Sequence, residues 1–359
     1  MQRNDSNKEH LAALSALTFA PSSDTGVNYV RGLKDSQRAE LLALAQSNHV
    51  VLRAFKPLLD RHGASCPADL RQFCQQVTSD ERNRIGGALP VLHEICHEFQ
   101  DAGYPLVVIK TLDHWPDFGN DIDLYTPADE GLVRRIFQEK FNAGLVSRSW
   151  GDHLANKWNF AVPGIVPQVE VHVQRLGQAG EHLHLARRVA EQSVPLTANG
   201  YTFQVPAPEE RVIAATLQRM YRHLYFRLCD VLNTATLVEA DAIDYEKLRR
   251  AADLGGIWWG VATYLTVALE YFTRFSGRSL PLPAAVAGSA MFKADKLFVR
   301  GQYIHVPVLP QGMTLYQRQW METARRADLS ATLRLSMVPP LASAAALSYA
   351  IFGSCERIW

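Results

Sequence analysis

Residues 104–125 read YPLVVIKTLDHWPDFGNDIDLY, and their pattern decides how the chain divides. A short apolar, β-branched run at 105–109 is followed by Lys110 and Thr111, then by a turn-rich loop. The segment closes on Asp121-Ile122-Asp123 inside an apolar, strand-like end. Successive side chains of a strand point to opposite faces, so Asp121 and Asp123 share one, about 7 Å apart. Two carboxylates at that spacing repel unless a cation stands between them. Oxygen ligands of this kind suit magnesium, or manganese, held jointly with substrate phosphates.

Upstream of this stretch the apolar spacing is helical. Residues 36–63 form one helical run ending at Gly63, and a second run covers 67–103, with an interruption expected at Gly86-Gly87 or Pro90. Downstream, residues 126–129 look like a helix start, with the helical pattern running to Gly144. Candidate strands follow at 145–150 and 156–164. The clearest lies at 167–176, where Val169, Val171 and Val173 alternate with Glu170, His172 and Gln174. A last strand ends at Pro206, and 208–275 returns to helix. The pattern predicts an α/β (α+β) protein: a small mixed sheet between N-terminal and C-terminal helical regions. Its expected divisions are 1–78, 79–206 and 207–359.

The bulk numbers describe an ordinary globular chain of 359 residues, 47% apolar and 20% charged. A formal net charge of +1 carries no general nucleic-acid footprint. A small-molecule or protein partner is therefore expected over long nucleic acid. Five scattered cysteines without a CxxC pair indicate neither a disulfide framework nor a thiol zinc site, which fits a reducing cytoplasm. The long uncharged run 335–355 is broken by Pro339-Pro340, so a buried or partner-facing helix is expected there rather than a membrane anchor.

If the 167–176 strand neighbours the Asp121–Asp123 strand, Glu170 completes a three-carboxylate cluster of the kind that holds metal ions for phosphoryl transfer. The bland alternative is an edge strand with Glu170 facing solvent. Arg219, His223 and Arg227 lie four apart and would share one helix face, either to neutralise phosphate or as a solvated face paired with Asp230. A competing motif is His93-Glu94-Ile95-Cys96-His97, an H-E-x-x-H that on a helix can bind zinc but still needs a third ligand. His182 and His184 form a weaker suspicion of the same kind.

The segment VVIKTLDHWPDFGNDIDLY followed by VEVHVQRL resembles an uncharacterised bacterial nucleotidyltransferase family of the DNA polymerase β-like superfamily. The flanking helices at 41–59 and 218–238 extend the resemblance over roughly residues 33–275. It implies a nucleotidyltransferase core at 79–206, with Asp121, Asp123 and Glu170 as catalytic and metal residues binding magnesium or manganese. It implies an NTP co-substrate contacted by Lys110, Thr111, Arg219, His223 and Arg227, with His172 orienting a carboxylate or moving a proton. The NMP would pass to an acceptor hydroxyl with release of pyrophosphate. Two departures stand out: Thr111 occupies the family's glycine position, and Gly119-Asn120 precede the aspartates where an arginine is expected. They leave open a catalytically degenerate nucleotide- or partner-binding protein on the same core. A zinc hydrolase through His93, Glu94 and His97 is the third reading.

Overall fold

The computed structural model describes residues 2–352; Cys355 lies outside them. Its centre is a five-stranded mixed sheet built from β1 (Val107–Val108), β2 (Asp121–Thr126), β3 (Gly144–Leu145), β4 (Lys157–Ala161) and β5 (Gln168–Val173). The strand order is β1-β2-β5-β4-β3, with β2 and β5 parallel and the other neighbours antiparallel. The expected adjacency is therefore present: Asp123 stands opposite Glu170 in the β2–β5 ladder.

The central strands β2, β4 and β5 each have a face buried in one core. Ile122, Leu124, Val169, Val171, Trp158 and Phe160 point into one core with the helix Ala68–Asp101 and with Phe203 and Val205. Asp121, Asp123 and Glu170 point the other way. A one-residue slip of β2 would bury the carboxylates and expose Ile122 and Leu124, each worth about 1.5–3 kcal/mol when fully buried. Burial thus fixes the carboxylate face.

The hairpin β6 (Ser193–Ala198) and β7 (Tyr201–Pro206) closes this core; β6 was absent from the sequence reading. The Ala68–Asp101 helix runs unbroken through Gly86, Gly87 and Pro90, correcting the expected interruption. Pro90 costs the Gly86 carbonyl its helical hydrogen bond, and burial of Ile85, Leu89 and Leu92 in the core offsets that loss. The same helix crosses residue 78, where a boundary was expected.

N-terminal and C-terminal helices share a second core. The helix Trp258–Ser276 is apolar on nearly all sides and packs with Leu11, Leu14, Phe19 and Phe226, so the two helical regions form one layer. No helix of the described residues is long and apolar enough to cross a membrane. The four cysteines among the described residues are free. A third small sheet, in the order β8-β10-β9, comprises β8 (Tyr225–Phe226), β9 (Phe298–Arg300) and β10 (Tyr303–His305).

Candidate active site

Chain breaks on both sides of the sheet build the cleft. The run 36–63 splits into Asp35–Ser47 and Val51–His62 at Asn48-His49, with His49 in a left-handed conformation (φ 53°). Asn48 is fully buried and bonds four partners around it. Its Nδ2 donates to the Leu44 and Gln302 carbonyls at 3.0 Å each, its Oδ1 accepts from the Leu228 amide at 3.0 Å, and its carbonyl accepts from the Cys229 amide at 3.3 Å. One asparagine thereby ties an N-terminal helix end to the β9–β10 turn and to the start of the helix Leu228–Glu239.

The loop before β2 is held from two directions. The buried Asp117 accepts the Leu52 and Arg53 amides at 2.6 and 3.1 Å, and the Arg53 Nε at 3.0 Å, capping the start of Val51–His62. Arg84 donates to the Phe118 and Gly119 carbonyls at 3.1 Å. A Cβ on Gly119 would approach the Asp121 carbonyl to 3.1 Å and the His49 ring to 3.4 Å, so glycine suits this close passage.

Lys110 follows β1 with φ 70°, a conformation unusual for a side-chain-bearing residue. Its ammonium pairs with Asp123 and lies 3.9 Å from Glu170. Lys110 is thus no surface lysine; it bridges the carboxylate pair. The buried Thr111 hydroxyl accepts the Asp123 amide at 2.8 Å and lies 3.4 Å from the Asp121 carbonyl. In the glycine position the threonine anchors the backbone of the carboxylate strand.

Glu170 is the most heavily compensated acid. Lys157, 2% exposed at its side chain, pairs with Glu170 and sits 3.3 Å from Asp152. Burial works to raise the Glu170 carboxyl, but Lys157, His172 and Lys110 together hold it well below the usual range. The His172 Nε2 lies 2.9 Å from Glu170, and burial lowers this imidazole to about 4 against the pull of Glu170. A neutral ring beside a carboxylate carries its proton on Nε2, leaving the buried Nδ1 without a partner. Trp158 lies on the other face of the sheet from His172.

The Asp121 carboxylate takes part in no hydrogen bond or ion pair among the described residues, although the residue's backbone carbonyl meets the Thr111 hydroxyl. Burial and then Glu170 raise its carboxyl; burial raises that of Asp123, against Lys110. Lys110 is shared by Asp123 and Glu170 and Lys157 by Glu170 and Asp152, while Arg219, Arg222 and Arg227 line the same cleft. The unengaged Asp121 carboxylate beside Asp123 offers oxygen ligands of the kind that could hold a divalent cation. Asp123, Glu170 and His172 are the described group of three whose ligand atoms lie within 4.8 Å of one another. Asp123 and Glu170 both engage Lys110, so Asp121 is the carboxylate of the three left open to a cation.

The opposite wall departs from expectation. Arg219, His223 and Arg227 do not share a helix face, because the helical segment ends at Arg222, Leu224 is left-handed (φ 53°), and Arg227 precedes a new helix. The three nevertheless line one cleft of about 250 Å³ with Lys110, the carboxylates and His49. Arg219 is buried and pairs with the buried Asp230 at 2.6 Å, so this is not a solvated face. His223 is held neutral, far below its ordinary range, by burial and then by Arg222.

Lys157, His49, Arg222 and Tyr225 escaped the sequence reading. Lys157 had a signal: Lys157 and Asn159 alternate with Trp158 and Phe160, as Glu170 does with its valines. Elsewhere, His93 packs against Tyr201 at 5.1 Å between ring centroids, while His97 is exposed and pairs with Asp101 at 3.5 Å. No third metal ligand joins them among the described residues. His182 is buried against Gln319 at 3.0 Å and His184 is exposed, so these two do not form a site. The chain matches no protein-family model and no curated protein.

Proposed function

We propose that the chain is a metal-dependent nucleotidyltransferase that moves an NMP from an NTP to an acceptor hydroxyl and releases pyrophosphate. The observation that carries this reading is the meeting, in one cleft, of the Asp121–Asp123 face with Lys110, Arg219, Arg222 and Arg227. Carboxylates on one wall and cations on the other suit a polyphosphate bound through a divalent ion. The resemblance of the Lys110, Asp121, Asp123, Glu170 and His172 series points the same way.

Asp121 and Asp123 would hold magnesium or manganese, which would supply charge neutralisation at the transferred phosphoryl group. Arg222 and Arg227 orient the polyphosphate from across the cleft, and Arg219 positions that wall through Asp230. Glu170, held by Lys157 and His172, keeps the carboxylate row fixed and is poorly suited to accept a proton. The acceptor oxygen forms the new P–O bond, its proton passes to water, and the electron pair leaves with pyrophosphate. Catalysis is then mainly positioning and electrostatics.

One observation favours a second reading, a nucleotide-binding protein without turnover. Lys110 spans Asp123 and Glu170, and Thr111 is committed to the strand backbone. Calorimetry with a non-hydrolysable NTP and magnesium, paired with a pyrophosphate-release assay on the natural NTPs, separates them. Binding with release supports the transferase; binding without release for any acceptor supports the second reading.

A further inference from the structure

The three-stranded sheet β8-β10-β9 borders the cleft and has an unusual outer face. Phe226, Ile304 and Val299 point toward the helical core. The other face carries Tyr225, Tyr303, His305, Phe298 and Arg300, where a small sheet's outward positions would ordinarily be polar. Register sets three of these in one row: Tyr225 is opposite His305, and His305 is opposite Phe298. The next row places Tyr303 opposite Arg300.

The rings are in contact along this row, with Tyr225 5.7 Å from His305 between centroids, and diagonally to the next row. Tyr225 stacks on Tyr303 at 4.2 Å and 12°, and Phe298 stacks on His305 at 5.6 Å and 26°. Tyr225 also lines the cleft, whereas Phe298 is 44% exposed. The row therefore leads from the candidate active site to open surface, over about 10 Å at the usual spacing of adjacent strands. That is longer than one nucleobase needs. Cations accompany it: the Arg227 guanidinium lies 5.7 Å from the Tyr303 ring and 6.0 Å from that of Tyr225, and Arg300 is exposed at the far side. The Asn48 bond to Gln302, with Ser47 Oγ donating to Gln302 Oε1 at 2.9 Å, holds the hairpin beside the cleft.

We infer that this aromatic face is a docking surface for the end of a single-stranded polynucleotide, which presents its terminal hydroxyl to the cleft as the acceptor. The inference rests on the transferase reading and names its acceptor class. Successive bases stacking on aromatic rings, with arginines at the phosphates, is a mode of single-strand binding indifferent to sequence. The face is continuous with the cleft through Tyr225, and its arginines complement a phosphate backbone. A near-neutral chain does not oppose this, because the relevant charge is local. Mutual packing of the rings also supports the sheet, as cross-strand aromatic pairs do. The exposed Phe298, farthest along the row from the cleft, separates the two roles.

The test is fluorescence anisotropy of the full chain with a labelled, mixed-sequence single-stranded RNA decamer, its DNA counterpart, and a duplex of the same sequence. A single strand, RNA or DNA, should bind more tightly than the duplex. Phe298→Ala should weaken that binding about tenfold without lowering the unfolding temperature, and Phe298→Trp should retain it. The Asp121→Ala/Asp123→Ala double variant should bind the decamer as the wild type does, so a failed transferase reading is seen separately. Equal affinity for strand and duplex, or Phe298→Ala binding at the wild-type level, overturns the inference. So does a Phe298→Ala defect confined to NTP binding. Pyrophosphate release with a small acceptor but no decamer binding would sink the inference while leaving the transferase reading standing.

Discussion

Asp123 and Glu170 face each other across the parallel β2–β5 ladder, and their electrostatic surroundings differ sharply. Glu170 is gripped by the buried Lys157 and by His172, whereas Asp123 is pushed toward protonation by burial and shares Lys110. The pair is therefore unequal: Glu170 is held by cations and His172 on several sides, while Asp123 has Lys110.

Removing the anchor's main cation should be costly. Lys157→Met leaves Asp152 without its cation and Glu170 with only Lys110 and His172, and breaking such a buried pair costs about 3–5 kcal/mol. Chemical denaturation should show a loss of that size. A loss below about 1 kcal/mol would mean that the pair is solvated in solution.

Thr111 predicts a chemically specific pattern. Thr111→Val keeps the shape but leaves the Asp123 amide without its 2.8 Å partner, a loss of about 1–3 kcal/mol. Thr111→Ser keeps the hydroxyl and should recover most of that loss. Equal stability for Val and Ser variants would remove the hydroxyl from the account.

The cleft's histidines set a pH dependence. Burial, then Arg53, lowers the His114 imidazole well below its ordinary value, and its ring packs against that of His49 at 5.1 Å. Below about pH 6.5 the unfolded chain binds a proton that the folded chain refuses, so this contribution is complete above that pH and is lost as pH falls. The stability difference between wild type and His114→Asn should therefore shrink below pH 6.5, by up to about 1.4 kcal/mol per pH unit. Parallel stability curves from pH 7.5 to 5.5 would contradict a neutral buried His114.

The sheet and its carboxylate face were legible because alternation is local. Val169, Val171 and Val173 announce which way Glu170 points, and Asp129 announces the helix it caps at 2.9 Å from the Leu132 amide. The breaks were not legible. Residues 46–51, QSNHVV, continue an acceptable helical pattern, and only the four partners of Asn48, three of them more than 170 residues away, make a break there favourable. The regular spacing of Arg219, His223 and Arg227 likewise suggested one helix. Pairing of Tyr225 and Phe226 with β10 outweighs that local preference. Gly86 and Pro90 misled in the other direction, since packing of Ile85, Leu89 and Leu92 carries the helix through.

The central claim is that Asp121 and Asp123 serve magnesium-dependent transfer of a nucleotide. It is tested most directly by NTP consumption with pyrophosphate release, in magnesium, for wild type and for Asp121→Ala/Asp123→Ala of matched unfolding temperature. The account predicts release by the wild type and its abolition in the double variant. Release at the wild-type rate from the double variant would contradict it.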